Sequence, residues 1–124
     1  MNWTALASLL LGLAVMIGAF GAHGLRDRLD AYSLGVYEKA VFYHFIHALG
    51  MLATGILQRT QALTMRDANI AGALLAAGIL LFSGSLYALA LSGVRTLGIV
   101  TPFGGLAFIG AWLWLAFALF RQSR

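Results

Sequence analysis

The stretch Ile70–Leu91, IAGALLAAGILLFSGSLYALAL, runs for 22 residues without a charged side chain. A bilayer's hydrocarbon core is roughly 30 Å thick and takes about 20 apolar residues of helix to cross. Strands of a membrane barrel would instead alternate polar and apolar side chains over about 10 residues, and this run does not alternate. Three further charge-free runs lie on either side of it, Trp3–Ala22, Ala40–Leu57 and Pro102–Phe120, of 20, 18 and 19 residues. The order predicts an all-α integral membrane four-helix bundle, up-down-up-down, forming a single transmembrane domain over residues 1–124. Gly18–Ala22 offers small residues of the kind found at signal-peptide cleavage points, but no basic segment precedes the run, so it reads as a retained span.

Composition agrees. Hydrophobic residues make up 61% of the chain and charged residues 10%, with a mean hydropathy of +0.89; soluble domains run nearer ~45–50% and ~25%. Little chain remains outside the bilayer, which excludes an appended soluble catalytic domain, a nucleotide-binding fold and a DNA-binding module. Eight Lys and Arg face four Asp and Glu. They stand singly at the ends of hydrophobic runs, where they meet lipid headgroups, so the excess is topological and no nucleic-acid partner is expected. The absence of cysteine removes disulfides, thiolate nucleophiles and Cys-ligated metal sites.

The connections differ in character. Gln58–Asn69 is a short polar turn. His23–Lys39 carries Leu25, Leu29, Tyr32 and Val36 at i, i+4, i+7 and i+11, which predicts an amphipathic interfacial segment between the first two spans, with Arg26 and Asp30 paired at i, i+4. Ser92–Thr101 ends in Thr101-Pro102, a cap followed by a first-turn proline. Gly104 and Gly105 follow; two glycines weaken a first turn by roughly 1 kcal/mol each, so close approach of another backbone or a ligand is expected there. Lys and Arg count two (Arg59, Arg66) plus two (Arg121, Arg124) on the side of the termini, against three (Arg26, Arg28, Lys39) plus one (Arg95) opposite. The tie is tipped by the free amino terminus, placing both termini in the cytoplasm.

Helices in lipid associate through small residues and a few polar contacts. The first span offers Ala14, Gly18 and Ala22 at four-residue spacing, and the third offers Gly72, Ala76, Leu80, Gly84 and Ala88, so both small faces are expected to meet other helices. The second span places His44, His47, Met51 and Thr54 along one stripe, and Ser83, Ser85 and Tyr87 end the third. With His23, Glu38, Tyr43, Arg95 and Thr101, all of these except Thr54 predict one polar cluster on the side of the 1–2 and 3–4 connections, since polar groups at membrane depth face the bundle interior. His23, Glu38, Tyr43, His44, His47, Ser85, Arg95 and Thr101 are the candidate ligand- or lipid-binding residues, and His23, His47 and Arg95 are expected to converge. His44 and His47 at i, i+3 could ligate one metal with His23 or Glu38. Neutral imidazoles bonded to neighbouring helices are the preferred reading, so neither metal nor cofactor is assigned, and a bis-His haem is rejected. Arg95 beside the fourth span suits an anion, although an ion pair with Asp27, Asp30 or Glu38 ranks above it. No Ser-His-Asp elbow, HExxH or phosphate-binding loop occurs, so no catalytic residue is assigned and the chain reads as a non-enzyme.

Four ordered segments carry a family resemblance: Gly18-Ala-Phe-Gly-Ala-His-Gly-Leu25, Tyr43-His-Phe-Ile-His-Ala-Leu49, Phe82-Ser-Gly-Ser-Leu-Tyr87 and Thr101-Pro-Phe-Gly-Gly105. Over essentially the whole chain the sequence resembles the YgdD/YwdK-like small membrane proteins. The resemblance implies a four-span bundle in the bacterial inner membrane, cytoplasmic ends with a basic tail, and no established biochemical activity. It also implies that glutamine can replace His44, which leaves His23 and His47 as the better functional candidates. The leading expectation is a non-enzymatic membrane protein that binds lipid, a small ligand or a protein partner, whether a second copy or another membrane protein. The alternative is a small transporter or channel working as an oligomer. Small multidrug transporters couple to protons through a carboxylate within the first span; here that span has none, and Glu38 sits only at the mouth of the second.

Overall fold

The computed structural model describes residues 1–123. Five α-helices form four spans: α1 (Trp3–Phe20), continued by a π-turn at Gly21–Leu25; α2 (Ala31–Arg59); α3 (Met65–Gly78), joined through a π-turn at Ile79–Ser83 to α4 (Gly84–Ser92); and α5 (Thr101–Gln122), preceded by a 3-10 turn at Arg95–Ile99. Each of the four resulting segments is long and apolar enough to cross a membrane, and no strand occurs among the described residues. Arg124, grouped above with Arg59, Arg66 and Arg121, lies outside the described residues.

Local chemistry explains where the helices begin. Asn2 caps α1, its Oδ1 accepting from the Ala5 N–H at 3.1 Å. Asp30 caps α2 by accepting from the Ser33 N–H at 2.7 Å, and Thr64 caps α3 by accepting from the Asp67 N–H at 3.0 Å. Each cap satisfies an N–H that the first turn leaves without an intrahelical partner. Gly93, at φ +75°, ends α4 in the left-handed conformation typical of a helix stop.

The Asp30 cap corrects one expectation. No separate interfacial helix spans residues 23–39: the π-turn carries α1 to Leu25, residues 26–30 form a turn, and Ala31–Lys39 are the first turns of α2. Asp30 therefore caps a helix instead of pairing with Arg26 along one. Thr101 is also not a cap; it lies inside α5, and Val100 occupies the cap position without a side-chain bond.

α1 packs chiefly on α2, α3 chiefly on α5, and α2 also meets α3 and α4. In the most apolar stretch of the first span 17% of residues are buried, against 44% in the second and third, so α1 flanks the bundle and turns most of its surface outward. The main core gathers Trp3, Met51, Leu75, Phe108 and Leu115 with Ala7, Ala48, Ala71 and Ala111. Aromatic rings sit where glycine leaves room: a Cβ on Gly72 would overlap the Trp3 ring, and one on Gly78 the Phe108 ring. Gly104 is tighter still, since its Cβ would overlap the backbone nitrogen of Phe82 and lie 2.8 Å from the Leu81 carbonyl carbon. The close approach expected at Gly104-Gly105 is thus backbone on backbone, α5 against the π-turn of the third span.

The small faces are only partly as expected. Ala14 and Gly72 are buried, Gly18 approaches Val41, and Gly84 is half-buried, but Ala22, Leu80 and Ala88 are exposed. At 3.6 residues per turn a four-residue step overshoots by about 40°, so a strict i+4 stripe winds off the contact face. The buried positions of α3, Ala68, Ala71, Gly72, Leu75 and Gly78, mix steps of three, one and four and stay on it.

Candidate ligand-binding site

α2 positions most of the candidate residues. His44 is 2% exposed, and its Nδ1 meets the Tyr87 hydroxyl of α4 at 2.8 Å. Its Nε2 is buried without a hydrogen bond. Tyr87 packs edge-on against Tyr37 with ring centroids 5.6 Å apart, and the Tyr37 hydroxyl donates to the Ile17 carbonyl of α1. Tyr37, Tyr87 and His44 therefore form one continuous band linking α1, α2 and α4.

His47 points elsewhere. Its Nδ1 meets the Tyr43 carbonyl at 2.8 Å, and its ring stacks on Phe108 of α5 with centroids 3.4 Å apart. Tyr43 packs on Phe82 at 4.4 Å between centroids. Three residues along a helix leave a net offset of about 60°; with His44 bonded to Tyr87 of α4 and His47 stacked on Phe108 of α5, the two imidazoles do not share a ligand. Among the described residues no three His, Asp or Glu side chains gather as a metal site. Ser83 donates to the Ala40 carbonyl at 2.8 Å, and Ser85 meets Thr101 at 2.6 Å. These hydroxyls join the third span to α2 and α5, the use small polar groups find inside membranes.

His23, His47 and Arg95 have different surroundings. His23 is exposed on the first π-turn, while His47 is buried in the bundle. Arg95 lies over the Tyr32 ring, 4.2 Å from its centroid, in place of the expected ion pair. Its charge still reaches Asp30, whose carboxyl is held below the usual range first by the Ser33 N–H, then by the Ser33 side chain, with Arg95 adding to the effect.

Glu38 is exposed and belongs to the one feature here that resembles a ligand site. Gly18, Gly21 and Ala22 on one side and Leu34, Tyr37, Glu38 and Val41 on the other line a groove between the first span and α2. At 1.5 Å per residue α2 is about 43 Å long, longer than the ~30 Å hydrocarbon core, and its charge-free run begins only at Ala40. Glu38, two residues before that run, thus stands at the boundary between hydrocarbon and headgroups.

The opposite end holds a polar cluster that the sequence reading did not anticipate. Asp67, 2% exposed, accepts from Arg121 at 2.5 Å, from Thr64 at 2.9 Å and from Gln122 at 3.2 Å. It is the one ion pair among the described residues. Thr64-x-x-Asp67 has capping-box spacing, a signal that could have marked Asp67 as part of a helix start. Nearby, the Trp3 indole N–H donates to Asn69 at 2.8 Å.

Comparison with known proteins adds a family. Residues 17–105 match the model described as "Protein of unknown function (DUF423)". The chain is 49% identical over 109 residues to the UPF0382 membrane protein SSP2132 of Staphylococcus saprophyticus, covering 88% of each chain. It is 45% identical over 116 residues to the UPF0382 membrane protein SH2409 of Staphylococcus haemolyticus, covering 94% of this chain and 93% of that one. It is 43% identical over 106 residues to the UPF0382 membrane protein YwdK of Bacillus subtilis, covering 86% and 85%. No solved structure matches. With a family model that spans the helix ends, the groove and the start of α5, and relatives that cover most of its length, the chain belongs to the DUF423 family of membrane proteins.

Proposed function

We propose that this protein acts by binding and not by catalysis, and that an amphipathic ligand enters from the lipid phase into the α1–α2 groove. The observation that carries this reading is the groove itself, apolar at Leu34 and Val41 with Glu38 between them, two residues before the charge-free run. Its setting supports the reading. His44, His47, Ser83, Ser85 and Thr101 are engaged in contacts between helices, whereas Glu38 faces outward. The same proposal places the protein in the bacterial inner membrane with its termini in the cytoplasm, so that the groove opens in the outer leaflet.

The test is native mass spectrometry of the full chain extracted from its membrane in a neutral detergent. The natural protein should carry a tightly held amphiphile. Ala22→Leu, which fills the groove from an exposed position, should lose that adduct and keep the natural melting temperature. A natural protein without any adduct, or a folded Ala22→Leu variant that keeps it, overturns the proposal.

A further inference from the structure

We infer that the α1–α2 groove selects amphiphiles whose head is a protonated primary amine, with Glu38 as the counter-charge; this rests on the groove being the ligand site proposed above. The groove measures about 150 Å³, well under the roughly 300–1,000 Å³ of pockets that enclose drug-sized ligands. Such a space takes a short segment of chain next to the head, and the rest of the molecule stays in the lipid.

The head chemistry follows from the polar atoms in the lining. Gly18, Gly21, Ala22, Leu34 and Val41 bring no polar side chain, and the Tyr37 hydroxyl is committed to the Ile17 carbonyl. Glu38 is therefore the one side-chain acceptor the lining offers. Its carboxylate has no cationic partner: among the described residues Asp67 and Arg121 form the one ion pair, and Lys39 points about 100° away around α2. Glu38 is exposed just outside the charge-free run, so an ammonium head at that level gains a charge-assisted contact, a neutral head gains a weaker one, and an anionic head is repelled.

The amine is a primary one because its N–H groups can donate to the carboxylate. Quaternary ammonium groups are recognised by aromatic cages. Here Tyr37 is the single aromatic side chain in the lining, and its ring is pressed against Gly21.

The experiment uses the full chain in maltoside micelles and two photoreactive C12 probes that differ only in the head, a primary amine and an alcohol. Labelled peptides are mapped by mass spectrometry. The amine should label the peptides that hold residues 18–22 and 34–41 about tenfold more than the alcohol, the factor expected of one charge-assisted contact. Glu38→Gln should bring amine labelling down to the alcohol level and leave the alcohol unchanged, and Ala22→Leu should suppress both. Equal labelling of the groove by the two probes, insensitive to Glu38→Gln, overturns the amine specificity while the groove remains a ligand site. Failure of both probes to label the groove peptides overturns the groove reading and the specificity together. Glu38 is exposed and makes no core contact, so unchanged melting of Glu38→Gln checks that the variant reports on binding.

Discussion

At Gly104 a single missing methyl group decides how two spans meet. A Cβ there would overlap the Phe82 nitrogen, and backbone cannot move aside as a flexible side chain does. Gly104→Ala should lower stability by about 3 kcal/mol, the upper end of the usual cost of overpacking. Gly12→Ala should be neutral or slightly stabilising, because a Cβ at Gly12 meets nothing within 4 Å and alanine favours helix over glycine. Reversible unfolding of both variants in mixed micelles measures the contrast, and equal effects would refute the backbone contact. The adjacent glycines mark an unusual helix start in the sequence. That Gly104 takes the contact with backbone, while Gly105 meets only the edge of the Phe82 ring at 3.8 Å, depends on how α5 is rotated. The histidines follow the same rule: their place within a charge-free span is legible, and whether each meets Tyr87 or Phe108 is set by α4 and α5.

Among the elements, α2 departs most from its expected length. Hydrophobicity marks a span from Ala40, yet on the Asp30 cap the helix already begins at Ala31. The cap gives this first turn a dependence on pH. Because the Asp30 carboxyl is lowered below its ordinary value of 3.8 in the folded chain, its contribution is complete above that value and is lost as pH falls through the lower folded one. Hydrogen exchange at Ser33 and Leu34, corrected for intrinsic rates, should therefore show protection falling in acid below pH 3.8. In Asp30→Asn, which caps without titrating, the protection should be independent of pH, and a natural protein that behaves the same way would refute the assignment. The Asp30-x-x-Ser33 spacing was available in the sequence, but the amphipathic pattern of residues 23–39 suited an interfacial helix equally well. Periodicity describes a helical face without saying which helix owns it.

For the whole molecule, the charge distribution bears on orientation. Arg59, Arg66 and Arg121 lie toward the end where both termini meet, beside the buried Asp67, while Arg26, Arg28, Lys39 and Arg95 belong to the other end, so the free amino terminus tips the balance. The chain has no cysteine, so single-cysteine variants report cleanly. Ser123→Cys should react with an impermeant thiol reagent only after cells are opened, and Thr96→Cys, in the exposed 3–4 connection, should react in intact cells. The reverse pattern would invert the topology, and half-labelling of both would indicate dual insertion.

The sequence alone determined the membrane, the number of spans and their helical character, because the cost of unpaired backbone groups in hydrocarbon leaves a long apolar run one economical conformation. It also marked His44 and His47 as side chains at membrane depth and Glu38 as an acid at the mouth of the second span. Tertiary structure alone decided what each of them does: His44 joins α4, His47 joins α5, Glu38 faces a groove against α1, and Asp67 is buried by an arginine 54 residues away. The physical reason lies in range. Burial of apolar length is a sum over neighbouring residues and can be read along the chain, whereas a polar partner is chosen by the rotation and height of a different helix, which no local stretch encodes.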